Sequence, residues 1–173
     1  MPRTQTIFLV DDDANVMALL QAALRLKGYR VIARNDPVAA LRYLRGRVPD
    51  LLVVGTELPD IDGFEFIRRV QGSTRAAYAP FILIGEETEP EKAALALRMG
   101  AREFLRKPFA VEELLVRVEK VFQEVERSRT ASPACDLEGR LERISFVQLI
   151  RFLGAMELSG RLHVSVPAAP VEG

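Results

Sequence analysis

The sequence has very few of the residues that build disulfide bonds, metal clusters and catalytic triads. Its 173 residues include a single cysteine, Cys135, which excludes an internal disulfide and a zinc site made of thiolates and suits a reducing compartment. Its single histidine, His163, has no second base with which to assemble a catalytic triad. No glycine-rich phosphate loop of the dinucleotide or Walker type is present. We therefore expect no enzymatic activity.

A charge excess and long apolar runs are missing as well. Lysine and arginine total 24 and aspartate and glutamate total 24, so no surplus of positive charge is available to neutralise a nucleic-acid backbone. The apolar run at residues 7–10 is too short for a signal peptide or a membrane span. We expect a cytoplasmic protein with no nucleic-acid or membrane partner. The 49% apolar content suffices for one domain of ordinary size and a small appendage.

The sequence does contain a regular alternation of short apolar strands with helical patterns. Strands that are apolar throughout, each followed by a helix, favour a parallel sheet that is covered on both faces. We therefore predict a doubly wound α/β fold, with a small incomplete α+β unit after it. The five predicted strands are residues 7–10, 30–33, 51–54, 81–84 and 103–105.

Helical periodicity and capping residues separate these strands. Gly28 is a candidate terminator of the first helix, and Asp36 with Pro37 supplies an N-cap and a first-turn proline for the second. Glu113 and Arg117 lie one turn apart on the fifth helix, where they can pair. The apolar face predicted for the first helix consists of Val16, Leu19, Leu20, Ala23 and Leu24.

Three motifs follow predicted strands, and the C-terminal ends of parallel strands share the edge of the sheet at which functional sites form. They are the acidic run 11–13, the segment DLLVVGTELPDIDG at 50–63, and the Lys-Pro-Phe sequence at 107–109. In this order they resemble the motifs of the receiver domains of bacterial response regulators. The resemblance covers residues 1–127 and implies a flavodoxin-like (βα)5 fold with strand order 2-1-3-4-5.

Three residues match positions that the resemblance associates with phosphate chemistry. Receivers bind magnesium through an acidic pair after the first strand and contact the phosphoryl group through a lysine before a proline, and Asp11, Asp12 and Lys107 stand at these positions. Clustered carboxylates suit such a hard cation. Asp13 is better explained as a residue of the first helical turn than as a ligand.

The positions that would make a working phosphate switch are degenerate. Gly55 stands where the resemblance implies the phosphate-accepting aspartate, and Gly85 stands where it implies a threonine or serine that hydrogen-bonds the phosphate. Phe104 matches the aromatic residue that rotates inward with it. Glycine offers no nucleophile for phosphoryl transfer. The resemblance therefore implies a pseudo-receiver that acts as a phosphorylation-independent protein-interaction module in bacterial signalling.

The missing carboxylate at Gly55 also affects metal binding. With one anionic ligand fewer, Asp11 and Asp12 would bind magnesium weakly at most, and we predict no resident cofactor. We expect Lys107 to form an ion pair with one of these two aspartates instead.

Two alternatives remain open at the level of sequence. A displaced carboxylate, Glu57 or Asp60, could accept phosphate with the help of magnesium, although each has a plainer interpretation as a solvated loop or turn residue. Alternatively, the emptied pocket could bind a small ligand or an anion near Lys107.

Partner binding is expected on the face formed by the fourth helix, the fifth strand and the fifth helix, which receivers commonly use for effectors or for copies of themselves. Its mixed charge suits a protein interface. The residues of this predicted face are Arg98, Arg102, Phe104, Arg106, Glu113, Arg117 and Lys120.

The last part of the chain has a different pattern. Residues 128–135 are small and polar and end near a proline, as is typical of a linker. Residues 136–173 resemble the beginning of a PATAN-type domain, with an apolar helix face followed by a strictly alternating strand.

Overall fold

The computed structural model of this chain describes residues 4–86 and 90–130, which contain a five-stranded parallel sheet flanked by helices. The strand order is β2-β1-β3-β4-β5, and every neighbouring pair is parallel. The predicted α/β class and strand order are confirmed. The elements are β1 Thr6–Val10, α1 Ala14–Leu26, β2 Arg30–Arg34, α2 Pro37–Leu44, β3 Leu51–Gly55, α3 Gly63–Ser73, β4 Phe81–Gly85, α4 Pro90–Arg98, β5 Glu103–Arg106 and α5 Val111–Thr130.

The core has two layers because successive side chains of a strand point to opposite faces of the sheet. On one face, Ile7 and Leu9 of β1 pack with the buried residues of α1 and α5. On the other face, Phe8 and Val10 pack with those of α2, α3 and α4. The central strands are therefore buried on both sides, which explains their continuously apolar sequences.

The buried face of α1 differs from the predicted one. Met17, Leu20 and Leu24 are buried, whereas Leu19, which was assigned to the core face, is 56% exposed. Both patterns contain Leu20 and Leu24 at helical spacing, and Met17 extends them one turn backwards, so periodicity alone could not choose between them. Packing against the sheet selects the face that carries Met17.

The helix boundaries follow the capping residues. Asp36 accepts a hydrogen bond from Val38 N–H as the N-cap of α2, and Pro37 occupies the first turn as predicted. The predicted pairing on α5 is confirmed by a distance of 3.4 Å between Arg117 Nη2 and Glu113 Oε1.

Helix α5 is longer than predicted. It runs to Thr130, so the first three residues of the predicted linker 128–135 are helical. The predicted PATAN-like unit at 136–173 lies outside the described residues. Among residues 4–86 and 90–130, no helix is long and apolar enough to cross a membrane.

Candidate functional site

The predicted site residues meet at the C-terminal edge of the sheet. Asp11 directly follows β1, and Lys107 directly follows β5. Gly55 and Gly85 are the last residues of β3 and β4, one residue further along the strands than the sequence predicted. Gly55 is paired in register with Ile84, so the two glycines end neighbouring strands side by side.

The ion pair predicted for Lys107 with Asp11 or Asp12 forms with Asp11. Lys107 Nζ lies 3.2 Å from Asp11 Oδ1 and 3.1 Å from Oδ2, so both oxygens of the carboxylate contact the ammonium group. Asp11 Oδ1 also accepts a hydrogen bond of 2.9 Å from Asp13 N–H. The Asp11 side chain is only 1% exposed and that of Lys107 is 18% exposed. Asp12 is solvent-exposed.

Asp11 is the only buried polar or charged residue in the part of the chain that the structure describes. Burial raises the pKa of its carboxyl group above the ordinary value, against the hydrogen bond from Asp13 N–H and the charge of Lys107, which both act to lower it. A carboxylate in this place must therefore keep its basic partner to remain ionised without a large energetic cost.

The Asp11 carboxylate lies where a side chain at position 55 would begin. An ideal Cβ placed on Gly55 would lie 2.5 Å from Asp11 Oδ2 and 3.0 Å from its Cγ. Real Cβ contacts are not that short, so any side chain at position 55 requires Asp11 to move. The absence of a side chain at Gly55 and the ion pair between Asp11 and Lys107 are thus parts of one arrangement.

A neighbouring side chain also fills the space beside Gly85. An ideal Cβ on Gly85 would overlap with Thr56 Oγ1 and would lie 2.7 Å from Thr56 Cγ2. The Thr56 side chain therefore fills the space in which a residue larger than glycine at position 85 would sit. Thr56 was not predicted as a site residue. The signal in the sequence that could have indicated it is a hydroxyl residue directly after Gly55, in a chain that has no hydroxyl residue at position 85.

Gly63 fixes the loop between β3 and α3 by close backbone contact. Its N–H donates to Thr56 O at 2.8 Å, and an ideal Cβ at this position would overlap with Gly55 O and lie 2.9 Å from Thr56 Cα. Only glycine allows this approach. Asp62 is the N-cap of α3, because its Oδ1 accepts from Glu65 N–H at 2.7 Å.

The residues present do not form a prepared magnesium site. Among residues 4–86 and 90–130, no three acidic, histidine or cysteine side chains are grouped so that they could hold a metal ion. Both oxygens of Asp11 contact Lys107, so magnesium would have to displace the lysine or bind through the exposed Asp12 alone.

The two carboxylates considered as displaced acceptors are solvent-exposed. Glu57 and Asp60 lie in the loop between β3 and α3, and Asp60 adopts a left-handed backbone conformation with φ of 66°. No hydrogen bond or ion pair holds the side chain of either residue within the described part of the chain.

The predicted partner face contains a connected charge network. Glu103 on β5 contacts Arg117 Nη1 at 2.5 Å and Lys120 Nζ at 2.6 Å, both from α5. Burial acts to raise the pKa of Glu103, but the hydrogen bonds and charges of Lys120 and Arg117 outweigh it, and the pKa is lowered. Phe104 is partly buried and packs against the core layer beneath α2, α3 and α4. The remaining residues of the face, Arg98, Arg102 and Arg106, are exposed.

Comparison with known proteins gives a consistent family assignment. The family described as "Response regulator receiver domain" matches residues 7–119. The chain is 30% identical over 132 residues to the alkaline phosphatase synthesis transcriptional regulatory protein PhoP of Bacillus subtilis, covering 76% of this chain and 53% of PhoP. It is 38% identical over 112 residues to the response regulator MprA of Mycobacterium leprae, covering 65% of this chain and 48% of MprA. The chain thus spans about half the length of these relatives.

Solved structures agree with the fold. The chemotaxis protein CheY4 of Vibrio cholerae superposes with a TM-score of 0.64 at 28% identity, covering 69% of this chain and 99% of that chain. A response regulator from Chloroflexus aurantiacus superposes with the same TM-score of 0.64 at 29% identity, covering 70% and 99%.

Proposed function

The chain belongs to the response regulator receiver domain family, which works in two-component signalling, and on that premise we propose that it acts as a phosphorylation-independent protein-interaction module. The observation that carries the proposal is the buried ion pair between Asp11 and Lys107, beside a residue without a side chain at Gly55. The pocket has neither an acceptor oxygen at that position nor space for one.

The arrangement at Gly85 supports the same proposal. A phosphate-driven switch needs a group that changes its contacts when the phosphoryl oxygens arrive. Gly85 has no such group, and the Thr56 side chain fills the adjacent space. The space at the acceptor position, Gly55, and at the hydroxyl position, Gly85, is therefore filled by contacts that do not depend on phosphate.

We propose that this domain acts through its surface. The face made by α4, β5 and α5 carries mixed charge held in place by Glu103, and it would bind other signalling proteins or a second copy of this chain in the bacterial cytoplasm. The proposed role needs no cofactor.

The proposal is tested by incubating the full chain with a small-molecule phosphodonor and magnesium and measuring the intact mass. We expect no stable addition of a phosphoryl group, while CheY4 of Vibrio cholerae, treated in parallel, serves as the comparison receiver. Analytical ultracentrifugation of the same samples should show an association state that is unaffected by the phosphodonor. A stable mass increase of one phosphoryl group would contradict the proposal, and peptide mapping would then identify Glu57, Asp60 or another acceptor.

A further inference from the structure

A basic cleft lies at the opposite edge of the sheet from the proposed partner face. β2 is the edge strand, and its two ends carry the exposed residues Arg30 and Arg34. A cleft of about 290 Å³ opens between this strand and the segment after α2. Its lining residues are Thr6, Arg30, Ile32, Tyr43, Arg47, Val48 and Pro49.

An aromatic ring holds Arg47, which lines the cleft, and the neighbouring Arg34 at the end of β2. Tyr43 stacks on the buried Phe8 with ring centroids 5.2 Å apart, which fixes the plane of the tyrosine ring. The guanidinium carbons of Arg34 and Arg47 lie 5.6 Å and 5.0 Å from the centroid of the Tyr43 ring. Restricting these long side chains in advance lowers the entropic cost of using them to bind a ligand.

The arginines of the cleft have no acidic partner. Some basic side chains of the described residues face carboxylates, as Lys107 faces Asp11 and Lys27 faces Glu119. By contrast, Arg30, Arg34 and Arg47 lie within 4 Å of no carboxylate of residues 4–86 and 90–130. The cleft is therefore lined by two arginines and by no acidic residue, and the Asp50 carboxylate next to it already accepts from Thr6 N–H at 2.8 Å.

Two arginine side chains lie along the edge of β2. Val31 O accepts from Arg25 Nη2 at 3.5 Å, and Ala33 O accepts from Arg34 Nη1 at 2.7 Å. Both outward carbonyl groups of the strand thus have a side-chain donor.

We propose that this cleft binds an acidic peptide segment of a partner protein, with a carboxylate between Arg30 and Arg47. The guanidinium group matches a carboxylate in a bidentate geometry. Ile32, Val48 and Pro49 line the cleft beside these charges, so the neighbouring peptide residue should be apolar. A nucleic acid is a poorer match, because two arginines in one small cleft do not follow an extended phosphate backbone.

The test measures binding of a fluorescein-labelled peptide that alternates glutamate with leucine, by fluorescence anisotropy with the full chain at low salt. A peptide with glutamine in place of glutamate is the ligand control. We expect the glutamate peptide to bind, and Arg30→Gln with Arg47→Gln to weaken that binding by about tenfold or more. Arg42→Gln is the matched protein control, because Arg42 is an exposed arginine of α2 that does not line the cleft, and it should leave binding within about twofold.

The single variant Arg30→Gln keeps Arg34 and Arg47, the two arginines that contact the Tyr43 ring. It therefore distinguishes a loss of binding from a loss of structure. It should weaken binding while the thermal unfolding midpoint stays unchanged. Equal binding of the glutamate and glutamine peptides, or unchanged binding by the double variant, would overturn the proposal. Tighter binding of a single-stranded oligonucleotide of equal charge, lost with the same substitutions, would overturn it in favour of nucleic acid. None of these outcomes depends on the phosphodonor experiment.

Discussion

Adding a side chain at Gly55 gives the most direct test of the site. In Gly55→Ala the new Cβ would lie 2.5 Å from Asp11 Oδ2, so the buried carboxylate must turn away from Lys107 or the strands must separate. Overpacking of this kind costs about 1–3 kcal/mol of the free energy of unfolding. For a domain of this size, that loss corresponds to a decrease of about 3–9 °C in Tm.

Gly72→Ala is the matched control. Gly72 lies inside α3, and a Cβ there would have no atom within 4 Å. Replacing an open helical glycine by alanine should stabilise the protein by about 0.5–1 kcal/mol. Circular dichroism melts should therefore shift in opposite directions for the two alanine variants. A Gly55→Ala variant that melts at or above the wild-type temperature would refute the claim that Asp11 is fixed in this space.

Gly55→Asp extends the same test to chemistry. It should show the steric loss of Gly55→Ala, but magnesium should recover part of it, because a third carboxylate joins Asp11 and Asp12 at this edge. Isothermal titration should detect tighter magnesium binding than in the wild type. No phosphate-dependent change of association state should follow, because Thr56 still fills the space beside Gly85. Phosphate-dependent dimerisation of this single variant would show that the reasoning about Gly85 is wrong.

Three further predictions concern stability, measured by urea unfolding. Lys107→Met should cost about 3 kcal/mol at pH 7 by leaving the buried carboxylate of Asp11 unpaired. Because burial raises the pKa of Asp11, this loss of unfolding free energy should shrink as the pH falls and the carboxyl group is protonated. A loss of unfolding free energy that does not depend on pH would contradict this explanation. The pKa of Glu103 is lowered in the folded state, so its contribution to stability is fully present above the unfolded-state pKa and is lost as the pH falls through the lower folded value. The Glu103→Gln variant should lose this pH dependence, and an unchanged loss of stability in acid would refute the assignment. Gly63→Ala should cost about 3 kcal/mol or more, since its Cβ would meet backbone atoms that cannot rotate away, and a stabilisation like that of Gly72→Ala would show that the loop can shift.

Features carried by residues that are near in sequence could be predicted. The apolar runs placed all five strands to within a residue at each end, because central strands of a covered parallel sheet have no polar face. Asp36 and Pro37 marked the start of α2 for the same local reason. One contact between distant residues was predicted as well, the pairing of Lys107 with Asp11 or Asp12, because the ends of parallel strands meet at one edge; the choice of Asp11 came from the structure.

Features that depend on how particular side chains pack in space could not be read from the sequence. Leu19 is exposed because α1 has two overlapping apolar faces and packs against the sheet through the one that carries Met17. Likewise, the filling of the Gly85 space by Thr56, and of the Gly55 space by Asp11, depends on side-chain directions at the ends of different strands. The sequence showed which groups were missing, but only the structure showed which groups took their place.

The Asp11–Lys107 pair has a consequence for how information could be carried. On the proposed function, the domain has one chemical form from synthesis to degradation, so its output depends on amount. The occupied fraction of a partner then follows the concentration of folded chain relative to the Kd. Changes in expression and turnover would set the speed of the response. The folding equilibrium would also affect the output directly, because unfolded molecules lower the concentration of chain that can bind the partner.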